Sequence, residues 1–479
     1  MALTIMDATT LALEEALRLR GMIDLARPGA IEALQKAGAK ASVAALRDLV
    51  SQFPIVAPER FVAKDVTSKR AAAAQAILAA KINKRDSLAF RAGSDGIGCD
   101  DLVRHSTGSL VLNWMLDGDG FPAGAACQLK GPDASGKTFT AQKTAEAAIW
   151  AGKRVLWVAV EQFNATWARR CGIPILIDVA ELKKLGYPEQ MIEDALRYNE
   201  QVEEPASRFC YTVGRSGDGL LQSMCEAIQA NLYDVVVMDS IAAARRDSHI
   251  TEAEVGKEYR GGEAKLIGDF CSRAFAAFNE VEAAAGKQIG KDEFGPIIGE
   301  RPRSTILLLN QLRDQGLDGM FKMRPDSPGG RGLKHAKSID LEFLRSEDVQ
   351  SDDPNMPGRV VTVARRTLVN VAKSKVCDPN RKGVIEMQLA DHPCGTRAGR
   401  WGVVTDLFGA KVKSEQEPGS LAEAAGVVSR SGAWWEISGG ARFHGRPKLE
   451  AFLNDPANAH VVSALYTEVQ AFINAGSGR

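Results

Sequence analysis

The chain has 479 residues, of which 45% are hydrophobic, and its 60 basic and 60 acidic residues cancel to a net charge of zero. The length predicts roughly two to four domains, and the hydrophobic content excludes a disordered chain. Without an overall basic signature, any surface that binds nucleic acid must be local. The eight cysteines form no C-x-x-C pair and predict reduced thiols. Because the sequence shows no signal-peptide pattern and no apolar run long enough to span a bilayer, we expect a soluble, cytoplasmic protein with no membrane partner.

The N-terminal part of the chain is rich in helix-forming residues but carries no recognisable chemistry. Residues 1–62 predict a helical N-terminal extension, and prolines and a polar run then indicate a boundary. The alanine-rich stretch 71–84 predicts a helix ahead of the main domain. Its apolar face must pack either on its own core or on a neighbouring subunit, and the sequence leaves both open.

A glycine-rich segment in the middle of the chain matches the phosphate-loop pattern of Gly, four residues, Gly, Lys and then Ser or Thr. Its glycines allow the backbone to curl so that amides point at phosphate oxygens, its lysine would reach the β- and γ-phosphates, and its threonine would hold Mg²⁺. A predicted strand before it and a predicted helix after it disfavour the alternative, an ordinary glycine turn. The residues are Gly131, Pro132, Asp133, Ala134, Ser135, Gly136, Lys137 and Thr138.

Carboxylates follow the next two buried strands of the predicted sheet. Glu161 ends the apolar run 154–160, and Asp239 ends the run 235–238. In open α/β sheets ligands bind at the carboxyl ends of the strands. Glu161 could therefore polarise an attacking water, or it is a solvated strand end. Asp239 fits the second metal-binding signature of phosphate-loop NTPases.

A third buried strand, 304–309, ends in Asn310 and Gln311. A neutral amide at this position could sense the γ-phosphate and pass its state to the segment that follows. That segment, Leu312 to Gly330, is glycine-rich and carries charges of both signs. It is either a mobile surface loop or a DNA-contacting loop ordered by ligand.

Two short apolar runs near residue 365 predict a hairpin from 360–363 and 368–372, followed by Lys373 and Lys375. Two lysines at this spacing share one strand face. They could form a solvated edge or reach a phosphate.

The last seventy residues, 410–479, predict a small separate domain with a local basic surface. Its adjacent tryptophans, Trp434 and Trp435, are more often core residues than a stacking platform for bases.

The chain resembles the RecA family of DNA recombinases from about residue 70 to its end. The phosphate loop alone indicates only an NTPase. The further matches occur in the order found in the family, and they are Ser106–Leu110, Glu161, Asp239–Ser240, Asn310–Arg313, Gly329–Gly330, Lys373–Lys375 and Gly432–Trp435.

The resemblance implies an α/β fold, namely a RecA-like phosphate-loop NTPase core with a central, mostly parallel sheet and a small α+β C-terminal domain. Residues 63–104 would be the docking helix and linker for the neighbouring subunit. Residues 105–409 would be the ATPase core with two DNA-binding loops. Residues 410–479 would guide duplex DNA.

The resemblance also implies roles for single residues. Glu161 resembles the catalytic glutamate, and Gln311 resembles the residue that couples the γ-phosphate to the second DNA-binding loop. Lys373 and Lys375 resemble the lysines that one subunit inserts into its neighbour's ATP site. Trp167 stands where the family stacks a tyrosine on adenine. DNA contacts would come from two loops, with the residues Lys257, Arg260, Arg313, Lys322, Arg324, Gly329 and Gly330.

The implied activity is ATP-dependent homologous pairing and strand exchange by a helical filament on single-stranded DNA, with a duplex in a second site. ATP and Mg²⁺ would be bound, and a single-strand-binding protein and loader proteins would be further partners. The insertion 283–303 and the unmatched first sixty residues indicate a divergent member, such as one encoded by a phage. The alternative functions are a RecA-like DNA motor or accessory ATPase, and a filament protein with a vestigial site.

Overall fold

The computed structural model describes part of the chain at the level of side chains. These residues are 103–160, 162–214, 217–230, 232–244, 265–274, 304–312, 332–356, 358–412 and 419–475; the backbone alone is described at 288–292, 295–298, 317–318, 321–322 and 330–331. The chain divides near residue 90, and every described residue belongs to the second unit, Arg91–Arg479. The predicted extension 1–62 and docking helix 71–84 lie outside the described residues, and the four domain boundaries stay a prediction.

The strands are short except for two in the second half of the chain. In chain order they are β1 Arg104–His105, β2 Phe121–Pro122, β3 Ala126–Gly131, β4 Val155–Ala159, β5 Phe209–Val213, β6 Val235–Asp239, β7 Gln288–Asp292, β8 Gly295–Ile298, β9 Thr305–Gln311, β10 Leu317–Asp318, β11 Phe321–Lys322, β12 Ile339–Asp352, β13 Val360–Ser374, β14 Lys382–Gln388, β15 Lys411–Val412, β16 Gly419–Ser420, β17 Val428–Ser431, β18 Trp434–Ile437 and β19 Arg442–His444.

The helices flank these strands. They are α1 Leu110–Met115, α2 Lys137–Trp150, α3 Ala165–Arg170, α4 Val179–Lys184, α5 Glu189–Ala206, α6 Gly217–Gln229, α7 Gly330–Ala336, α8 Val403–Phe408, α9 Leu421–Ala424, α10 Arg446–Asn454 and α11 Ala459–Asn474, and residues 265–274 are also helical. Among the described residues no helix is long and apolar enough to cross a bilayer.

An eight-stranded sheet organises the described part of the chain, in the order β14-β13-β12-β3-β9-β6-β4-β5. The six strands from β12 to β5 are parallel, whereas β13 and β14 are antiparallel to their neighbours. Near-continuous apolar sequences form the central strands because both faces of this sheet are covered. The expected α/β core with a mostly parallel sheet is confirmed.

Side chains that alternate along each central strand enter two different cores. In β4, Val155 and Trp157 belong to the hydrophobic cluster that includes residues of α1, α2 and the C-terminal helices, whereas Leu156 and Val158 belong to the cluster that includes residues of α6 and 265–274. This alternation follows from the two-residue period of a strand. The first core continues without a break into residues beyond 410, through Leu421, Trp435 and Val469 among others.

The predicted hairpin between 360–363 and 368–372 is wrong. Both runs belong to the single strand β13, which pairs along its length with β12. The turn falls instead at 353–359, where Asp353 N donates to Arg359 O at 2.8 Å. Arg365 and Arg366 look like a polar break in the sequence, but they stay in the strand because each forms an ion pair with a neighbouring strand.

Candidate nucleotide-binding site

The loop between β3 and α2 curls around the ammonium group of Lys137. Nζ of Lys137 donates to Gly131 O at 3.0 Å and to Pro132 O at 2.5 Å. Ala134 and Gly136 have φ angles of 54° and 98°, both in the left-handed region. Two left-handed residues in one short loop turn the backbone tightly, which is how anion-binding concavities form. The loop ends at the N-terminus of α2, the positive end of that helix.

Gly131 opens the loop at a point where two strands approach too closely for a side chain. A Cβ atom on Gly131 would lie 2.6 Å from Phe343 O and 2.7 Å from Phe343 Cβ. Because the carbonyl belongs to the backbone of β12, this contact cannot relax by a rotamer change. The first glycine of the motif is therefore required by strand packing.

The carboxyl ends of β3, β9, β6 and β4 meet at one edge of the sheet. The register pairs Ala159 with Asp239, and Met238 with Leu308, which in turn pairs with Gln128. Thr138 is exposed at the start of α2 on this edge. A hydroxyl and a carboxylate are oxygen ligands of the kind that Mg²⁺ prefers. Among the described residues no cluster of three or more His, Cys, Asp or Glu side chains could hold a metal ion.

Glu161 lies outside the described residues, but the residue before it is hydrogen-bonded to the strand that carries Asp239. Val160 N donates to Asp239 O at 2.9 Å. The described end of this segment, Val160, therefore lies beside the end of β6.

Gln311 is the last residue of β9, and it is the register partner of Gly131. The next residue, Leu312, donates its backbone N–H to Gly131 O at 3.3 Å. Within the predicted DNA-contacting loop, the backbone forms the short antiparallel pair of β10 and β11. Lys322 lies in β11, and Gly330 begins α7.

Lys373 and Lys375 are not at the phosphate loop of their own chain. The register places Lys373 opposite Asp340 and Asp340 opposite Gln128, three residues or roughly 10 Å of strand before Gly131. Their ammonium groups donate to carbonyls at the C-terminal end of α7, Lys373 to Lys334 O at 2.5 Å and Lys375 to His335 O at 3.3 Å. Partial burial and the neighbouring Lys375 charge lower the pKa of Lys373.

A buried ionic cluster lies between these lysines and the phosphate loop. The Asp340 carboxylate, 4% exposed, contacts Nζ of Lys337 at 2.5 Å and Nζ of Lys130 at 3.2 Å. Nζ of Lys337 also donates to Gln128 Oε1 at 2.5 Å. Burial lowers the pKa of Lys337, and the Asp340 charge opposes that shift. The cluster ties β3 to β12 and to the residue that follows α7.

The Ser106–Leu110 motif is anchored to the far end of the chain. Asp406 in α8, which is 3% exposed, accepts from Ser109 Oγ at 2.5 Å, Leu110 N at 2.9 Å and Val111 N at 3.2 Å. Burial raises the pKa of Asp406, although these hydrogen bonds oppose that effect. Sequence reasoning missed this carboxylate because its partners lie almost three hundred residues away.

Three aromatic residues singled out in the sequence occupy different environments. Trp167 in α3 is half-buried against the first core. Trp435 is 6% exposed and packs edge-on against Phe408, whereas Trp434 is 47% exposed beneath the guanidinium of Arg442. The adjacent tryptophans are thus one core residue and one surface residue.

Relatives align with about three quarters of the chain. No protein-family model matches it. Protein RecA of Bifidobacterium breve is 25% identical over 366 residues, which cover 76% of this chain and 72% of that protein. Protein RecA of Roseiflexus castenholzii is 27% identical over 361 residues, which cover 75% and 80%. The chain is a divergent RecA-like protein. The crystal structure of the RadB recombinase matches 59% of this RecA-like chain and 96% of its own chain, at 19% identity and a TM-score of 0.35.

Several predicted site residues of this RecA-like chain lie outside the described residues. They are Glu161 and the DNA-contact candidates Lys257, Arg260, Arg313, Arg324 and Gly329. The side chain of Lys322 is likewise not described. Conversely, sequence reasoning missed Arg365 beside the phosphate loop, because a single arginine within a strand matches no sequence motif. Arg365 Nη1 donates to Ala134 O at 3.0 Å.

Proposed function

We propose that this RecA-like chain is an ATP-dependent DNA recombinase. It would form a helical filament on single-stranded DNA and catalyse homologous pairing and strand exchange. The observation that carries the proposal is the register of Gly131 with Gln311, which joins the phosphate loop to the start of the predicted DNA-contacting loop. Similarity to RecA proteins over most of the chain supports it.

The edge that carries the phosphate loop fits a nucleoside triphosphate with Mg²⁺. Loop amides of Gly131–Thr138 and Nζ of Lys137 would bind phosphates, and Thr138 and Asp239 would hold the metal ion, which neutralises phosphate charge when bound. The exposed hydroxyl of Thr138 and the carboxylate at the end of β6 supply suitable oxygen ligands. Glu161 would accept a proton from the attacking water, and Trp167 would stack on the base.

The placement of Lys373 and Lys375 supports a site completed by a second subunit. The register places Lys373 level with Gln128, roughly 10 Å of strand before Gly131, and Lys375 comes two residues later. The two lysines would therefore act on the phosphates bound by a neighbour. Such a head-to-tail contact does not close on itself and generates a helical filament. The stretch 71–84 would dock on the adjacent subunit.

DNA would bind along the filament through backbone phosphates, so affinity would fall with salt. The residues assigned to these contacts are Lys257, Arg260, Arg313, Lys322, Arg324, Gly329 and Gly330. The basic surface beyond residue 410, with Arg442 beside the exposed Trp434, would guide duplex DNA. We place this activity in the cytoplasm, with a single-strand-binding protein and loaders as partners.

A strand-exchange assay tests the proposal. Purified protein, labelled single strands and a homologous duplex are incubated with ATP and Mg²⁺, beside a heterologous duplex and a Lys137→Ala variant. We expect labelled product only with the homologous duplex and the intact loop. DNA-stimulated hydrolysis without product would contradict pairing and favour the alternative, a RecA-like motor or accessory ATPase.

A further inference from the structure

A guanidinium group from the antiparallel part of the sheet reaches the phosphate loop of the same chain. Nη1 of Arg365 in β13 donates to Ala134 O at 3.0 Å, and Nε donates to Asp348 Oδ1 in β12 at 2.7 Å. The Arg365 side chain is 25% exposed. One arginine thus connects the middle of the loop to a carboxylate on the neighbouring strand.

Strand geometry explains why Arg365 can reach the loop and its neighbour cannot. Arg365 and Thr367 share one face of β13, and Ile385, the register partner of Thr367, approaches Gly136 of the loop. Arg366 points to the other face, where its Nε donates to Glu386 Oε2 at 2.7 Å. The two adjacent arginines carry the same charge in the same strand, but only the first contacts the loop.

Arg365 contacts Ala134. Among the described residues of the loop, Ala134 is the one non-glycine residue with a left-handed backbone. Ala134 has a φ of 54°, a conformation that is unfavourable for an L-amino acid and persists only where its surroundings fix it. A charge-assisted hydrogen bond to its carbonyl fixes that peptide unit. With the carbonyl turned toward Arg365, the curled conformation is held before a ligand arrives.

We propose that Arg365 is a positioning residue for the phosphate loop, aligned by Asp348, and that it prepares the loop for the triphosphate. This inference rests on the proposed nucleotide binding. A loop already held in its binding conformation loses less conformational freedom when the ligand binds, which strengthens affinity. The charge of Arg365 beside the loop also favours an anionic ligand.

Equilibrium binding of a fluorescent ATP analogue with Mg²⁺ tests the inference in the full-length protein. We compare wild type with Arg365→Ala, Arg365→Lys and Asp348→Ala, with Arg366→Ala as the matched charge control and Lys137→Ala as the loss-of-site control. Melting temperatures without nucleotide check folding. We expect Arg365→Ala to bind about tenfold more weakly, because one charge-assisted hydrogen bond is lost, and Arg366→Ala to bind like wild type.

The remaining variants separate positioning from a structural role. Arg365→Lys retains a donor for Ala134 O but cannot bridge to Asp348 with a planar fork, so we expect partial rescue, and we expect Asp348→Ala to lie between wild type and Arg365→Ala. Removal of the Arg365 side chain in Arg365→Ala should raise KM for ATP more than it lowers kcat. Wild-type affinity in Arg365→Ala, or an equal loss in Arg366→Ala, overturns the inference while leaving the proposed function intact. Failure of wild type itself to bind the analogue overturns the proposed function as well.

Discussion

Gly131 and Gln311 are register partners in adjacent parallel strands, and the N–H of Leu312 donates to Gly131 O at 3.3 Å. Gly131 opens the phosphate loop, and Gln311 ends the strand that leads into the predicted DNA-contacting loop. The same carbonyl of Gly131 also accepts from Nζ of Lys137. A ligand that moves Lys137 therefore acts on the Gly131 carbonyl, which also accepts from Leu312, the first residue of the predicted DNA-contacting loop.

This relationship predicts that Gln311→Ala separates the binding of nucleotide from the response to DNA. Because the phosphate loop keeps its own contacts, affinity for the ATP analogue should stay within about twofold of wild type. Stimulation of hydrolysis by single-stranded DNA should be lost. Gln350→Ala, an exposed glutamine on β12, is the control and should behave like wild type in both assays. Full stimulation in Gln311→Ala would contradict the coupling.

Gly131→Ala should destabilise the fold, because its Cβ would lie 2.6 Å from a backbone oxygen of β12. We expect the free energy of unfolding to fall by about 1–3 kcal/mol, as overpacking of a core does. Gly268→Ala is the matched control, since its Cβ meets nothing within 4 Å and the residue lies in a helix. Denaturant unfolding measures both variants. An equal effect of the two substitutions would show that strand packing does not require Gly131.

Asp406→Ala should also be strongly destabilising, because three buried donors lose their acceptor. We expect a loss of about 3 kcal/mol, whereas Asp391→Ala, an exposed carboxylate with one backbone partner, should change stability by less than about 1 kcal/mol. Comparable losses in the two variants would contradict the anchoring role.

The Asp406 carboxyl also gives stability a pH dependence of defined sign. Burial raises its pKa in the folded state above the ordinary value of 3.8, so the folded state binds the proton more tightly than the unfolded state. This contribution is complete below that ordinary value and is lost as the pH rises through the folded pKa. As the pH rises above that ordinary value, wild type should lose stability relative to Asp406→Asn. If wild type instead gained stability relative to Asp406→Asn as the pH rose, the raised pKa of Asp406 would be contradicted.

Cys394 should be the most readily alkylated of the described cysteines near neutral pH. Partial burial raises the pKa of its thiol, but hydrogen bonds from the Thr396 backbone and from His392 outweigh burial, and the pKa lies below the usual 9.0. Burial raises the pKa of Cys171 to about 12 and of Cys271 to about 11. Since the thiolate is the nucleophile, iodoacetamide should modify Cys394 first.

Peptide mapping after brief labelling at about pH 7 measures this order, because at that pH the reaction rate follows the thiolate fraction. The exposed Cys210 is the comparator, and His392→Ala should remove the advantage of Cys394 over it. Faster labelling of Cys210 in wild type would contradict the prediction.

The central strands and the phosphate loop could be predicted from the sequence because their signals are local. Val235 to Met238 is apolar at every position, and the spacing of Gly131, Gly136 and Lys137 is a motif in itself. The long strand β13 could not be recognised, because Arg365 and Arg366 are held in it by carboxylates on two other strands. Contacts between segments that are distant in the sequence keep these two arginines in the strand, and no local sequence pattern predicts those contacts.

The same reason explains the site residues that sequence reasoning missed. Asp406 caps a helix almost three hundred residues earlier in the sequence, and Arg365 reaches Ala134 from more than two hundred residues away. The adjacent tryptophans differ only because β18 alternates, so Trp435 faces the core and Trp434 faces solvent. The roles of Glu161, Gln311, Lys373 and Lys375 still rest on the resemblance to RecA and stay predictions.

The measurement that tests the account most directly is ATP hydrolysis with and without single-stranded DNA, in wild type, Glu161→Gln, Lys373→Ala and a one-to-one mixture of the two variants. We predict stimulation by DNA in wild type, loss of stimulation in each variant alone, and partial recovery in the mixture. Recovery follows because about one head-to-tail interface in four would combine an intact Glu161 with an intact Lys373. Hydrolysis that is indifferent to DNA, full activity of Lys373→Ala, or a mixture as inactive as its components would contradict a site shared between subunits.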